Sequence, residues 1–150
     1  MINTLQLKMK EQKGFTLIEL LAVIVILGII AAIAIPSIGN VINKSKDKST
    51  VQEGVQIINA AKMYVTNASD SELGFSSTIT TKTLLKADLD KYLDHAKATT
   101  YSVIVTKTAD KYTYELSGGH PAIPLANPTT DATTASEQQL ITKAQQWFIV

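Results

Sequence analysis

The chain has 150 residues, a net charge of +1, no cysteine, and 14 basic residues that are all lysine. That length leaves room for one modest folded domain. The lack of cysteine excludes a disulfide framework, and the lack of arginine excludes bidentate recognition of phosphate or guanine.

The first residues carry Lys8, Lys10 and Lys13 against Glu11, and Gly14-Phe15-Thr16-Leu17-Ile18-Glu19 then leads into an unbroken apolar run from Leu20 to Ile35. About 20 apolar residues suffice for a helix across a hydrocarbon layer of about 30 Å. One carboxylate, Glu19, sits inside this stretch. A charge at bilayer depth costs roughly 2.5 to 3.5 kcal/mol, so an ionisable residue there calls for a function and a partner. If the chain is cut after Gly14, a new α-amine appears on Phe15, about one helical turn from Glu19. The same amine on a neighbouring copy would neutralise Glu19 when subunits stack. Two plainer readings fit less well. A secretory signal peptide, with Ala32-Ile33-Ala34 as its cleavage site, would have to tolerate Glu19 and exceed the usual apolar length. A simple single-pass anchor leaves Glu19 unexplained. Lys44, Lys46 and Lys48 against Asp47 balance the leader's charge, so the lysine count does not orient the span.

The string Gly14-Phe15-Thr16-Leu17-Ile18-Glu19, with a Lys-bearing leader before it and the apolar run after it, closely resembles the class III leader of type IV pilins and of the related pseudopilins of type II secretion and DNA uptake. The resemblance covers about the first 40 to 50 residues. It implies that a prepilin peptidase reads Lys13, Gly14 and Phe15, cuts after Gly14 on the cytoplasmic side and N-methylates Phe15. It also makes Glu19 the assembly carboxylate and matches Pro36 to a proline common in the family. An assembly ATPase and a membrane platform protein are implied partners, and no cofactor is. Implied too is a passage from single-pass residence in the inner, cytoplasmic membrane to an extracellular pilus. Many Gram-negative pilins close their C-terminal region with a disulfide; a Cys-free, Arg-free, Thr- and Ala-rich chain points toward a Gram-positive source.

The fold class expected is α+β, with a long N-terminal transmembrane and amphipathic helix packed on a small C-terminal antiparallel sheet. The expected divisions are a leader over 1–14, a helix over 15–66 and a head over 67–150, the helix being membrane or filament core to residue 35 and amphipathic beyond. In the amphipathic half Val41, Ser45, Val51, Val55, Ile58, Ala61 and Val65 recur at mostly helical spacing. Fifty helical residues would reach roughly 75 Å. Pro36, with Gly39 after it, predicts a kink or a melted stretch between Ala32 and Gly39, unless it only marks the bilayer exit.

Residues 67–83 read as a loop, and Leu85, Leu89 and Tyr92 predict a short helix from about Thr83 to His95. Asp88, Asp90 and Asp94 would then form a solvated face, since the glycine turn and terminal glutamate of a calcium loop are missing. Tyr101–Val105 and Tyr112–Leu116 read as a hairpin whose Tyr112, Tyr114 and Leu116 face packs on the long helix. Gly118 and Gly119 end it, His120 is a turn residue rather than a metal ligand, and a Pro- and Thr-rich coil runs to about Ala135. Ser136-Glu137-Gln138-Gln139 has the form of a capping box. It opens a last helix, unless the chain ends in a strand through Trp147-Phe148-Ile149-Val150, whose aromatics either close the core or present a patch for subunit contact or adhesion.

The thirteen Leu, Ile and Val side chains from Leu17 to Ile35 would cost roughly 20 kcal/mol to expose to water. A subunit built this way moves laterally from lipid into a bundle of like helices, where apolar contact is exchanged for apolar contact. The sequence therefore points to a structural subunit that forms a homo-polymer, not to an enzyme: no nucleophile, base and orienting residue form a set. Adhesion, motility and DNA uptake are open roles for such a filament, with a competence or type II secretion pseudopilin as the alternative. A membrane-anchored DNA receptor using Lys44, Lys46 and Lys48 is a weaker one, because a filament would bury those lysines.

Overall fold

A computed structural model of the chain describes residues 16–78, 80–109 and 111–147. The described residues fall into two units, divided between Asn43 and Lys44. Helix α1, Leu17–Asn67, contributes to both. In the N-terminal unit its aliphatic side chains are exposed all round, as expected of a helix whose solvent is lipid or other helices. It is the one described helix with the length and composition to cross a membrane.

Pro36 lies inside α1, and the helix runs through Ala32 to Gly39 without interruption. Of the kink or melted stretch expected at Pro36 and Gly39, a melted stretch is not seen there. A proline removes a single N–H from the ladder, and the aliphatic turns on either side keep their own bonds.

In the C-terminal unit α1 turns amphipathic. Val51, Gly54, Ile57, Ile58, Ala60, Ala61 and Val65 are buried; Val41, expected on the same face, lies in the N-terminal unit and is exposed. A four-stranded antiparallel sheet lies against this face, in the order β1 (Thr81–Leu85), β2 (Ser102–Thr108), β3 (Lys111–Ser117) and β4 (Ala135–Ser136). The register aligns Leu84 with Val103, Val103 with Leu116 and Leu116 with Ala135. All four side chains are fully buried and form one row on one face of the sheet. Gly54 marks where helix and sheet come closest. A Cβ there would sit 3.0 Å from Ala122 Cβ, 3.1 Å from Leu116 Cδ2 and 3.2 Å from Leu140 Cδ2.

The hairpin of β2 and β3 is as expected, and its Tyr114 and Leu116 face the core. Thr83–Leu85, however, belongs to a strand; only Lys86–Leu89 (α3) and a 3-10 turn over Asp90–Tyr92 are helical. The i, i+4, i+7 spacing from Leu85 was misleading because ladder bonds to β2 outweigh a weak local helical pattern. Leu85 itself is exposed.

The loop after α1 contains a short helix, α2 (Asp70–Leu73). Ser69 and Glu72 cap each other's backbone, and Gly74 at φ 73° closes it. Within the expected coil lies α4 (Ala122–Ala126), whose Pro124 is tolerated because the first turn needs no N–H. The last helix, α5 (Glu137–Gln146), carries the Ser136–Gln139 capping box. It brings Leu140 into the core and ends beside a half-buried Trp147 that packs on the core; Phe148, Ile149 and Val150 lie outside the described residues.

Candidate functional site

Lys13, Gly14 and Phe15 lie outside the described residues. The described chain opens on Thr16, and there the structure adds a feature that the sequence reading missed. The Thr16 N–H donates to Glu19 Oε2 at 2.8 Å, the Thr16 hydroxyl donates to the same oxygen at 3.1 Å, and the Glu19 N–H donates to Thr16 Oγ1 at 3.3 Å. This is a reciprocal capping box at the head of α1. Its signal, a threonine three residues before a glutamate ahead of an apolar run, was legible in Thr16-Leu17-Ile18-Glu19. Two orphan amides of the first turn are satisfied this way, and the carboxylate lies at the positive end of the helix macrodipole. Glu19 is exposed, and the aliphatic side chains that follow it are exposed as well. Chemically the arrangement is a fixed anionic point at the tip of an apolar rod. A carboxylate held in this way offers its second oxygen to a cation.

Two surface clusters hold the head's loops. Asp70 accepts from Lys107 and, at 2.8 Å, from the Tyr112 hydroxyl, which ties α2 to the hairpin. The Lys107 and Tyr112 bonds hold its carboxyl below the usual range. Asp90 accepts from Lys86 at 2.7 Å and from the Tyr101 hydroxyl, and the same two contacts lower its pKa. Asp88 accepts from the Leu85 N–H at 3.0 Å and Asp94 meets the His95 ring. The expected solvated aspartate face is therefore partly a set of structural caps.

His120 occupies the turn before α4, as expected, but its side chain is buried. Nδ1 accepts from the Ala122 N–H at 3.0 Å, so the proton of the neutral ring belongs on Nε2. Among the described residues Nε2 has no hydrogen-bond partner, and the ring meets Tyr101 edge-on at 6.3 Å. Burial pushes the imidazole pKa below 6.5 and Glu53 opposes the shift. A depressed folded-state pKa means that the unfolded chain takes up the proton first. His120 thus stabilises the fold above pH 6.5, and the contribution is lost as the pH falls through the lowered value. In detergent, the full chain's melting temperature is expected to fall between about pH 6.5 and 5.5, by at most about 1.4 kcal/mol of stability per pH unit. A His120→Gln chain should show a flatter profile over that range; an equal slope in both chains would remove His120 from this role.

Comparison with known proteins bears on the N-terminal segment. Residues 9–35 match the family model of the prokaryotic N-terminal methylation motif. Fimbrial protein Q of Moraxella bovis is 56% identical over 45 residues, covering 30% of this chain and 29% of that protein. Type II secretion system core protein G of Vibrio cholerae is 40% identical over 57 residues, or 38% of this chain and 39% of that one. A fimbrial protein of Pseudomonas aeruginosa is 38% identical over 84 residues, or 51% and 54%. The chain spans about three tenths to one half of the length of the curated relatives it matches. No solved structure matches it.

Proposed function

We propose, for a chain that belongs by its N-terminal segment to the type IV pilin and pseudopilin family, the role of a pilus subunit. It is made as a prepilin, cut after Gly14, methylated on Phe15 and polymerised into a surface filament. The observation that carries this reading is the capped carboxylate of Glu19 at the tip of an exposed apolar helix. In lipid such a helix is at home but its charge is not; beside a neighbouring subunit's Phe15 amine both are satisfied. The role is structural, not enzymatic. The partners are a prepilin peptidase that also methylates, an assembly ATPase, a platform protein and further copies of the same chain. Before assembly the subunit resides in the cytoplasmic membrane through residues 15–35. Pro36 and Gly39 act in the filament as the point where α1 yields under load, since one ladder bond is already missing there.

The match to core protein G favours a second reading, a secretion pseudopilin. Shearing cells separates the two: long filaments released without overexpression support the pilus subunit, whereas filaments seen only on overexpression support the pseudopilin.

The processing step is tested by the intact mass and N-terminal sequence of sheared material. The expected chain begins at Phe15 and is heavier by one methyl group; a chain that begins at Ile35 overturns the reading, because Glu19 would have been discarded. Gly14→Val places a branched side chain at the scissile residue and is expected to leave the full-length precursor as essentially the whole product on an immunoblot. A mature-length product from that variant would reject Gly14 as the cleavage residue.

A further inference from the structure

The turn between β3 and α4 is capped by one residue. His120 O accepts from the Ile123 N–H and His120 Nδ1 from the Ala122 N–H, both at 3.0 Å, so His120 serves the first amides of α4. The ring is 1% exposed, and Nε2 has no partner among the described residues. With the proton of the neutral ring on Nε2, the one lone pair open to a second proton is that of Nδ1. Protonation therefore sets an N–H against the Ala122 N–H, and the cap becomes a conflict between two donors. It also creates a buried cation, which calls for a carboxylate within reach.

Around the ring the choice of carboxylate is narrow. Tyr101, just before β2, meets the imidazole edge-on at 6.3 Å. Its hydroxyl is given to Asp90, whose carboxylate is also held by Lys86. The negative charge of Glu53, on α1, reaches both the His120 and the Tyr101 rings. Glu53 is the neighbour of Gly54, where a Cβ would lie 3.0 Å from Ala122 Cβ, so it stands beside the capped turn. Glu53 Oε1 accepts from the Ala98 N–H at 2.8 Å, a half-buried bond that ties residues 93–98 to α1. The same segment holds His95 at φ 57°, a left-handed conformation that is costly for a residue with a Cβ. An open cleft of about 130 Å³, with Glu53, His95 and Lys97 among its walls, brings water to the carboxylate.

We propose that His120 and Glu53 form a proton-operated latch in the head: a proton on Nδ1 uncaps α4, the imidazolium takes the Glu53 carboxylate, and the Ala98 amide is released with residues 93–98. The proton comes from solvent, and between the two side chains only the hydrogen-bond partner changes. All the groups involved belong to the C-terminal unit, and the latch is independent of the filament role. In acid surroundings it opens α4 and the 93–98 segment while the sheet stays paired.

The test is amide hydrogen exchange of the full chain in detergent at about pH 7.5 and 5.0, read as protection factors so that the intrinsic pH dependence drops out. Ala98 and Ala122 are expected to be less protected than the β2–β3 ladder at both values, because they exchange by local opening. An imidazole returned to its ordinary pKa of about 6.5 favours the open form by about thirtyfold over this interval, so both amides should lose about that much protection. His120→Gln, which keeps an acceptor but takes up no proton, should hold both amides level. Glu53→Gln keeps an oxygen for the Ala98 N–H and removes the charge; Ala98 should then hold its protection in acid while Ala122 still loses it. His95→Asn removes the other imidazole, tolerates the left-handed backbone and should change neither result. Protection in the unsubstituted chain that stays constant at either amide overturns the inference, as does protection equal to that of the ladder at both pH values. An acid effect at Ala98 that survives Glu53→Gln, or one that vanishes in His95→Asn, overturns it too.

Discussion

Glu19→Ala and Glu19→Gln subunits are both expected to be processed to the mature length, and both are expected to yield no filament in the sheared fraction. The two substitutions separate two duties of one carboxylate. A glutamine can still accept from the Thr16 N–H and hydroxyl, as Glu19 Oε2 does, so the helix cap survives. An alanine removes the cap as well. What both remove is the negative charge that a neighbouring Phe15 amine would meet. An unpaired ammonium in an apolar bundle costs about 3 kcal/mol, which is about a hundredfold in the equilibrium constant of each subunit addition. Repeated over many additions, that penalty stops growth. Immunoblots of cell-bound and sheared fractions read both steps. Normal filament yield from the glutamine variant would reduce Glu19 to a helix cap and reject the charge pairing; loss of processing in either variant would assign Glu19 to the peptidase instead.

The second large effect is inside the head. Gly54→Val is expected to lower the melting temperature of the full chain in detergent by about 10 °C or more, with Gly54→Ala intermediate. The Cβ alone would approach Ala122, Leu116 and Leu140 to between 3.0 and 3.2 Å, and those three residues come from α4, β3 and α5. A clash with one flexible side chain would be relieved by rotation. Three contacts from three elements, each fully buried, cannot all retreat in a close-packed interior. Overpacking of this kind typically costs 1 to 3 kcal/mol. Replacing a helical glycine returns about 1 kcal/mol at most, so the clash outweighs the propensity gain, and valine adds two methyl groups to the conflict. Near-UV circular dichroism of the tyrosine-rich head follows the transition. An unchanged midpoint for Gly54→Val would show that α1 and the sheet can separate without loss, and would reject Gly54 as the close-approach point.

Legibility followed the range of the forces involved. The apolar run, the Glu19 anomaly, the hairpin and the capped last helix were all readable, because each is written in a short window by hydrophobic period or by end chemistry. Thr83–Leu85 was misread as helix since its strand state is decided by partners about 20 residues away, at Ser102 to Ile104. Helix α4 was hidden by Pro121, Pro124 and Pro128, which look like coil unless the proline falls in a first turn. The pinning of Asp70 by Lys107 and Tyr112 and the burial of His120 are tertiary facts with no local trace. At the candidate site the reverse holds: Thr16 and Glu19 are three residues apart, so their capping box is legible in the sequence, although the same carboxylate also invites a partner on another chain. Gly54 was unremarkable in sequence, since a glycine at a buried helical position looks like any other weak helix former until the three elements that crowd it are known.

Within the C-terminal unit α1 also has a mechanical meaning. Val51, Gly54, Ile57, Ile58, Ala61 and Val65 belong at once to the helix and to the head's interior. A pull on this part of the helix loads the core as shear spread over the overlap, as in a lap joint, where every bonded position must slip together before the joint parts.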